Sequence, residues 1–192
     1  NGFGVTLITK SSRVLRDLDI LKSIQTHSKC VIQMTLTTYD EELCKKLEPN
    51  VSTTKERFET LLTLQKEGIP TIVWLTPILP FINDNEENLR GILDYCIKAH
   101  VKGIICFDMG VTLREGNREY FYFKLDQHFP GLKEKYIHKY GNSYILSSPQ
   151  NKQLMRIFHQ VCEENGIMHE HEEIFNYLRT YEDHRLNLLD FI

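Results

Sequence analysis

Four short apolar runs, set apart by helical stretches at intervals of roughly one βαβ unit of about 30 residues, constrain this chain most. They lie near residues 5–8, 30–36, 71–75 and 103–107. Val5 to Ile8 is rich in β-branched residues and stops at Thr9-Lys10-Ser11-Ser12. Cys30 to Met34 runs into Thr35-Leu36-Thr37-Thr38, Thr71 to Leu75 into a loop with Pro77 and Pro80, and Gly103 to Phe107 into Asp108-Met109-Gly110. Runs this continuously apolar read as strands of a parallel sheet covered on both faces.

Between them the period changes to that of helices. Leu15, Leu18 and Leu21 recur among charged residues, with Ser12 placed to cap. A short helix spans Asp40 to Leu47 and ends at Glu48-Pro49. Thr53 with Glu56 has the spacing of a capping box, and Phe58, Leu61, Leu62 and Leu64 follow as a stripe closed by Gly68. Leu89, Ile92, Leu93, Cys96 and Ile97 give the next helix one apolar face. Beyond about residue 117 the alternation stops. Helical patterns then run from Tyr120 to Phe129, up to Tyr140-Gly141, from Leu154 to near Gly166, and from His169 to Tyr181. The fold class is therefore α/β. Residues 1–117 form a partial, incomplete TIM-like barrel of four βα units, and residues 118–192 a helical extension packed on the same core.

The loops that follow the strands are rich in Thr, Lys, Pro, Asn and Asp, while those that precede them are plainer. In parallel α/β folds the working face lies at the strand C-termini. A net charge of −3 gives no global electrostatic case for nucleic acid. No apolar run is long enough to span a membrane, and the first residues do not have the pattern of a signal peptide. Cys30, Cys44, Cys96, Cys106 and Cys162 are odd in number and match no CxxC or CxxxCxxC spacing, which points to a reducing, cytoplasmic setting. No Gly-rich phosphate loop and no Ser/His/Asp arrangement stands out.

Several segments, in order, resemble the later part of radical S-adenosylmethionine proteins of the spore photoproduct lyase type, often labelled DNA repair photolyases. They are ITKSSRVLRDLDIL, TLTTYDEELCKKLEP, STTKERFETLLTLQKEGIP, PILPFINDNEEN, REYFYFKLD, FPGLKEKY and YG. The resemblance implies S-adenosylmethionine and a 4Fe–4S cluster as cofactors. It also implies reductive cleavage of the former, hydrogen abstraction from substrate, and a nucleic-acid substrate. Members of that family hold the cluster with a CxxxCxxC loop that this sequence lacks. A complete barrel takes about 250 residues, and the barrel-like part here has room for four units. The chain is thus expected to be a C-terminal fragment, inactive as it stands. Its first strand would present an open edge suited to homodimerisation. The alternative is a non-catalytic half-barrel that binds a nucleotide or a protein.

Candidate site residues follow from the strand-end loops and the resemblance. The Thr9-Lys10 pair resembles one that faces the cofactor, with the Lys10 ammonium meeting its carboxylate. Thr35 and Thr37 share a side by strand alternation and offer hydroxyls. Glu48, a carboxylate at a helix C-terminus, is electrostatically misplaced unless something holds it, and Arg57 is the partner in reach. Asn83 is a further cofactor-binding candidate in the third loop, and Cys106 a candidate hydrogen donor set against the role of a core thiol. The aromatic run Tyr120 to Phe123 could stack bases, although helical spacing makes it packing. His169 and His171 invite a metal reading, but residues at i, i+2 on a helix do not face each other. No metal ligands are assigned.

Overall fold

The computed structural model describes residues 3–180. Its centre is a four-stranded parallel sheet in the order β1 (Val5–Thr9), β2 (Cys30–Thr35), β3 (Thr71–Trp74), β4 (Gly103–Ile105). A 3₁₀ turn at Ser12–Asp17 leads into α1 (Leu18–His27), after which come α2 (Glu41–Leu47), α3 (Thr54–Lys66) and α4 (Glu86–Lys98). The helix starts are capped by their own sequences. Asp40 accepts from Leu43 N at 2.6 Å and Asn85 from Asn88 N at 2.9 Å, and the reciprocal Thr53–Glu56 capping box is complete. The first cap is Ser11, which accepts from Arg13 N, rather than Ser12.

The helices between the strands pack on one face of the sheet. Ile32, Met34, Val73 and Ile104 point toward them, joining Leu21, Leu61, Leu64, Leu89, Ile92 and Leu93 in two apolar clusters. Alternation sends Val31, Gln33, Ile72, Trp74 and Ile105 to the other face. Both faces were expected to be covered, and for β2, β3 and β4 they are: Val31, Ile72 and Ile105 on the second face are as buried as Ile32, Val73 and Ile104 on the first. On the second face α8 (His171–Arg179) packs through Ile174, Phe175 and Leu178. Ile8 stays 57% exposed and Phe107 55%. Strand β1 is the exception: among the described residues it pairs with β2 alone, and much of both its faces is exposed.

The region after β4 also departs from an all-helical extension. Gly110–Thr112 (β5) and Ile145–Ser147 (β6) form a two-stranded antiparallel ribbon. Around it pack α5 (Asn117–His128) and α6 (Leu132–Tyr140), with Leu125, Tyr136 and Leu146 at the centre. Helix α7 (Asn151–Glu164) returns to the main sheet, burying Leu154, Phe158 and Cys162 against α4 and β4. The last expected helix reached Tyr181, which lies outside the described residues. Among the described residues no helix is long and apolar enough to cross a membrane.

Candidate functional site

The loops leaving β1 and β2 meet at the strand C-termini around one buried guanidinium. Arg57, on α3, is 0% exposed. Its Nε donates to the carbonyl of Ser52 at 2.7 Å, and Nη1 donates to the carbonyl of Thr35 at 2.9 Å. Nη1 also lies 2.9 Å from Oε2 of Glu48, the residue that closes α2. The other oxygen of Glu48 takes the ammonium of Lys10, from just beyond β1. The side chain of Glu48 is 14% exposed and that of Lys10 41%, so charge is graded from a dry interior to the surface. Oε2 of Glu48 is buried with the ion pair to Arg57 as its contact, and Nη2 of Arg57 is buried without a hydrogen bond among the described residues. A buried donor left in that way is costly.

The Thr-Thr turn beside it is fixed by protein partners. The carbonyl of Thr37 accepts from both Asn83 Nδ2 and Asn88 Nδ2, each at 2.9 Å. Asn83 Nδ2 also reaches Thr38 Oγ1 at 3.1 Å, while its Oδ1 accepts from Leu79 N at 2.6 Å. Thr54 Oγ1 donates to the carbonyl of Thr38. Asn83, expected to contact the cofactor, is held here by protein partners. Both ends of its amide are committed to the second and third loops, and it positions Thr37 instead. Thr35 and Thr37 are nearly buried, and the Thr37 hydroxyl lies 3.4 Å from that of Thr38.

Cys106 lies on the helix side of the sheet, its Sγ 3.9 Å from Sδ of Met155. Burial pushes its thiol up to about 12. That is the setting of a core thiol, not of a hydrogen donor facing the strand-end loops. All five cysteines are free and buried, and burial raises the thiols of Cys30, Cys96 and Cys162 as well. Among the described residues no three thiols gather within ligand distance. These residues do not fit a 4Fe–4S cluster, which needs exposed thiolates around one point.

Sequence reasoning missed a polar path across the second sheet face. Gln33 Nε2 donates to Thr6 Oγ1, and Trp74 Nε1 donates to Gln33 Oε1, both at 2.6 Å. The available signal was a glutamine inside an otherwise apolar strand. It also missed a cavity of about 300 Å³ that begins beside Glu48 at Leu47 and Pro49. Pro77, Phe121 and Phe129 give it an apolar lining, and Lys46, Lys124 and His128 supply cationic groups. Of the aromatic run, Phe121 faces this cavity and packs on Tyr136, as helical spacing predicted, while Phe123 is exposed.

No protein-family model matches the chain, and no solved structure matches it. Proteins of Mycobacterium tuberculosis and Mycobacterium bovis, both described as uncharacterized, are 24% identical to it over 156 residues, which is 81% of this chain and 45% of theirs. An uncharacterized protein of Methanocaldococcus jannaschii is 32% identical over 82 residues, 43% of this chain and 30% of its own. The chain spans less than half the length of these relatives.

Proposed function

We propose that this chain supplies one wall of an S-adenosylmethionine site in a radical enzyme resembling spore photoproduct lyase. The four βα units would form an arc of a partial TIM-like barrel, and the cluster would be held by residues that these 192 do not include. The observation that carries the proposal is the Lys10–Glu48–Arg57 cluster at the strand C-termini. An amino-acid moiety presents one ammonium and one carboxylate. The cluster offers groups of both signs: the partly exposed ammonium of Lys10 to meet the carboxylate, and Glu48, held from behind by Arg57, as the nearby negative charge for the ammonium. Further support comes from the strand order 1-2-3-4 with the connecting helices on one face, the arrangement of a barrel wall. On this reading the chain alone does no radical chemistry, and DNA lesion repair is the activity the resemblance suggests for the intact enzyme.

The test is to express the complete gene product, reconstitute it with iron and sulfide without oxygen, and measure 5′-deoxyadenosine released from S-adenosylmethionine under reduction. The expected result is release that falls at least about tenfold in Lys10→Ala and Glu48→Gln. No release above background, or release untouched by both substitutions, overturns the reading.

A second reading rests on the 300 Å³ cavity. An apolar slot with lysines at its rim suits a nucleotide or an acidic protein segment, bound without chemistry. It predicts that Lys124→Glu abolishes binding of such a ligand while leaving the strand-end cluster unaffected.

A further inference from the structure

Ten residues apart in sequence, His159 and His169 come together where the chain turns back from α7. Gly166, at φ +63°, makes the reversal that ends the helix. The returning segment is then pinned to the sheet: Met168 N donates to the carbonyl of Lys102 at 3.1 Å, and Ile104 N donates to the carbonyl of Met168 at 2.9 Å. On the other side Phe158, fully buried, fixes the register of α7. The two imidazole rings consequently lie 5.1 Å apart between centroids, inclined at 62°. Glu170 follows directly, its Oε1 3.8 Å from Nε2 of His169. One ligand atom from each of His159, His169 and Glu170 lies within 4.8 Å of the other two. Among the described residues no other group of three such side chains meets that condition.

One ring nitrogen of His169 is already committed. Its Nδ1 lies 3.1 Å from the carbonyl oxygen of Ile167. A carbonyl only accepts, so Nδ1 carries a hydrogen, and Nε2 is the ring atom that faces Glu170. An imidazole whose far nitrogen is held by a backbone carbonyl is the usual form of a metal-bound histidine. The sequence alone pairs His169 with His171 and rejects them, because it does not show that α8 starts only at His171 or that α7 brings up His159. His171 is engaged elsewhere, with Nε2 3.0 Å from the carbonyl of Cys106 and its ring stacked on Phe107.

We propose that His159, His169 and Glu170 form a site for a divalent transition-metal ion of the class that takes imidazole and carboxylate together, with zinc as the reference ion. Three protein ligands leave one position to solvent. Ligand atoms on tetrahedral zinc lie roughly 3.3 Å apart, so separations of up to 4.8 Å close by at most about 1.5 Å, through small turns of the two rings and the exposed Glu170 side chain. A bound ion ties α7 to the start of α8, the helix that packs on the second sheet face. The site is independent of the strand-end cluster.

The experiment is titration of the metal-free chain with Zn²⁺, followed by calorimetry and thermal unfolding. One equivalent binds, and the unfolding midpoint rises by several degrees and returns on chelation. Mg²⁺ and Ca²⁺, which take oxygen ligands, do not reproduce the rise. His159→Asn and His169→Asn each weaken Zn²⁺ binding at least about tenfold, with metal-free midpoints close to that of the parent. Independently of any variant, Zn²⁺ shields His159 and His169 of the parent chain from acylation by diethylpyrocarbonate, read by mass spectrometry. Parent-level zinc affinity in either histidine variant or in Glu170→Gln, or acylation of His159 and His169 undiminished by zinc, overturns the site.

Discussion

Arg57 is the residue on which the strand-end loops depend. Removing one partner of a buried ion pair leaves the other without compensation, at a cost of about 3 kcal/mol or more. Arg57 also satisfies the carbonyls of Thr35 and Ser52. Arg57→Ala is therefore expected to lower stability by about 3 kcal/mol, and Lys10→Ala, at the exposed end of the same network, by less than about 1 kcal/mol. Urea unfolding midpoints check the contrast; equal losses would mean that burial does not set the energetics of the cluster. Asp84 gives a pH test. Burial raises its carboxyl above the usual range, against the opposing effect of the 2.5 Å hydrogen bond from Ser148 Oγ. The native state therefore holds this proton to higher pH than the unfolded chain does. The associated stability is complete below the unfolded value of about 3.9 and is lost as pH rises through the folded value. Asp84→Asn should remove that loss, so that its stability relative to the parent increases from acidic to neutral pH; a pH-independent difference would contradict the assignment. Sequence made the Glu48–Arg57 pairing legible, because a carboxylate at a helix C-terminus demands a cation. It could not show the depth of Arg57, which depends on how α3 lies across β2.

At the scale of elements, wherever the signal is local the chain is transparent. The capping box at Thr53, the Asp40 cap and the Gly166 reversal all sit where their residue types place them. The ribbon of β5 and β6 was not legible. Each strand has three residues, too short for alternation to declare itself, and their pairing spans the whole of α5 and α6. Gly110 is the contact that makes it work. A Cβ there would sit 2.6 Å from the carbonyl oxygen of Leu146 and 3.0 Å from Cα of Ser147. Both are backbone and cannot move aside without opening the ribbon. Gly110→Ala is expected to cost about 1–3 kcal/mol, with amide exchange accelerated first between residues 110 and 112 and between 145 and 147. Unchanged protection there would show that the approach is looser than these distances imply.

For the molecule as a whole, what matters is the β1 edge of a parallel sheet whose connecting helices pack on one face and α8 on the other. Which layer covers which face was not legible, since an apolar strand reads alike under either. Among the described residues β1 has no strand on its outer side, Ile8 is exposed beside that edge, and such an edge templates association. We expect concentration-dependent dimerisation by sedimentation, reduced in Ile8→Lys; a monomer over the whole accessible range would contradict it. The central claim is that Lys10 and Glu48 form the wall that receives the amino-acid end of S-adenosylmethionine. Its most direct test is 5′-deoxyadenosine release by the complete, cluster-reconstituted gene product. The account predicts release that falls at least about tenfold in Lys10→Ala and in Glu48→Gln, and release that neither substitution alters would contradict it.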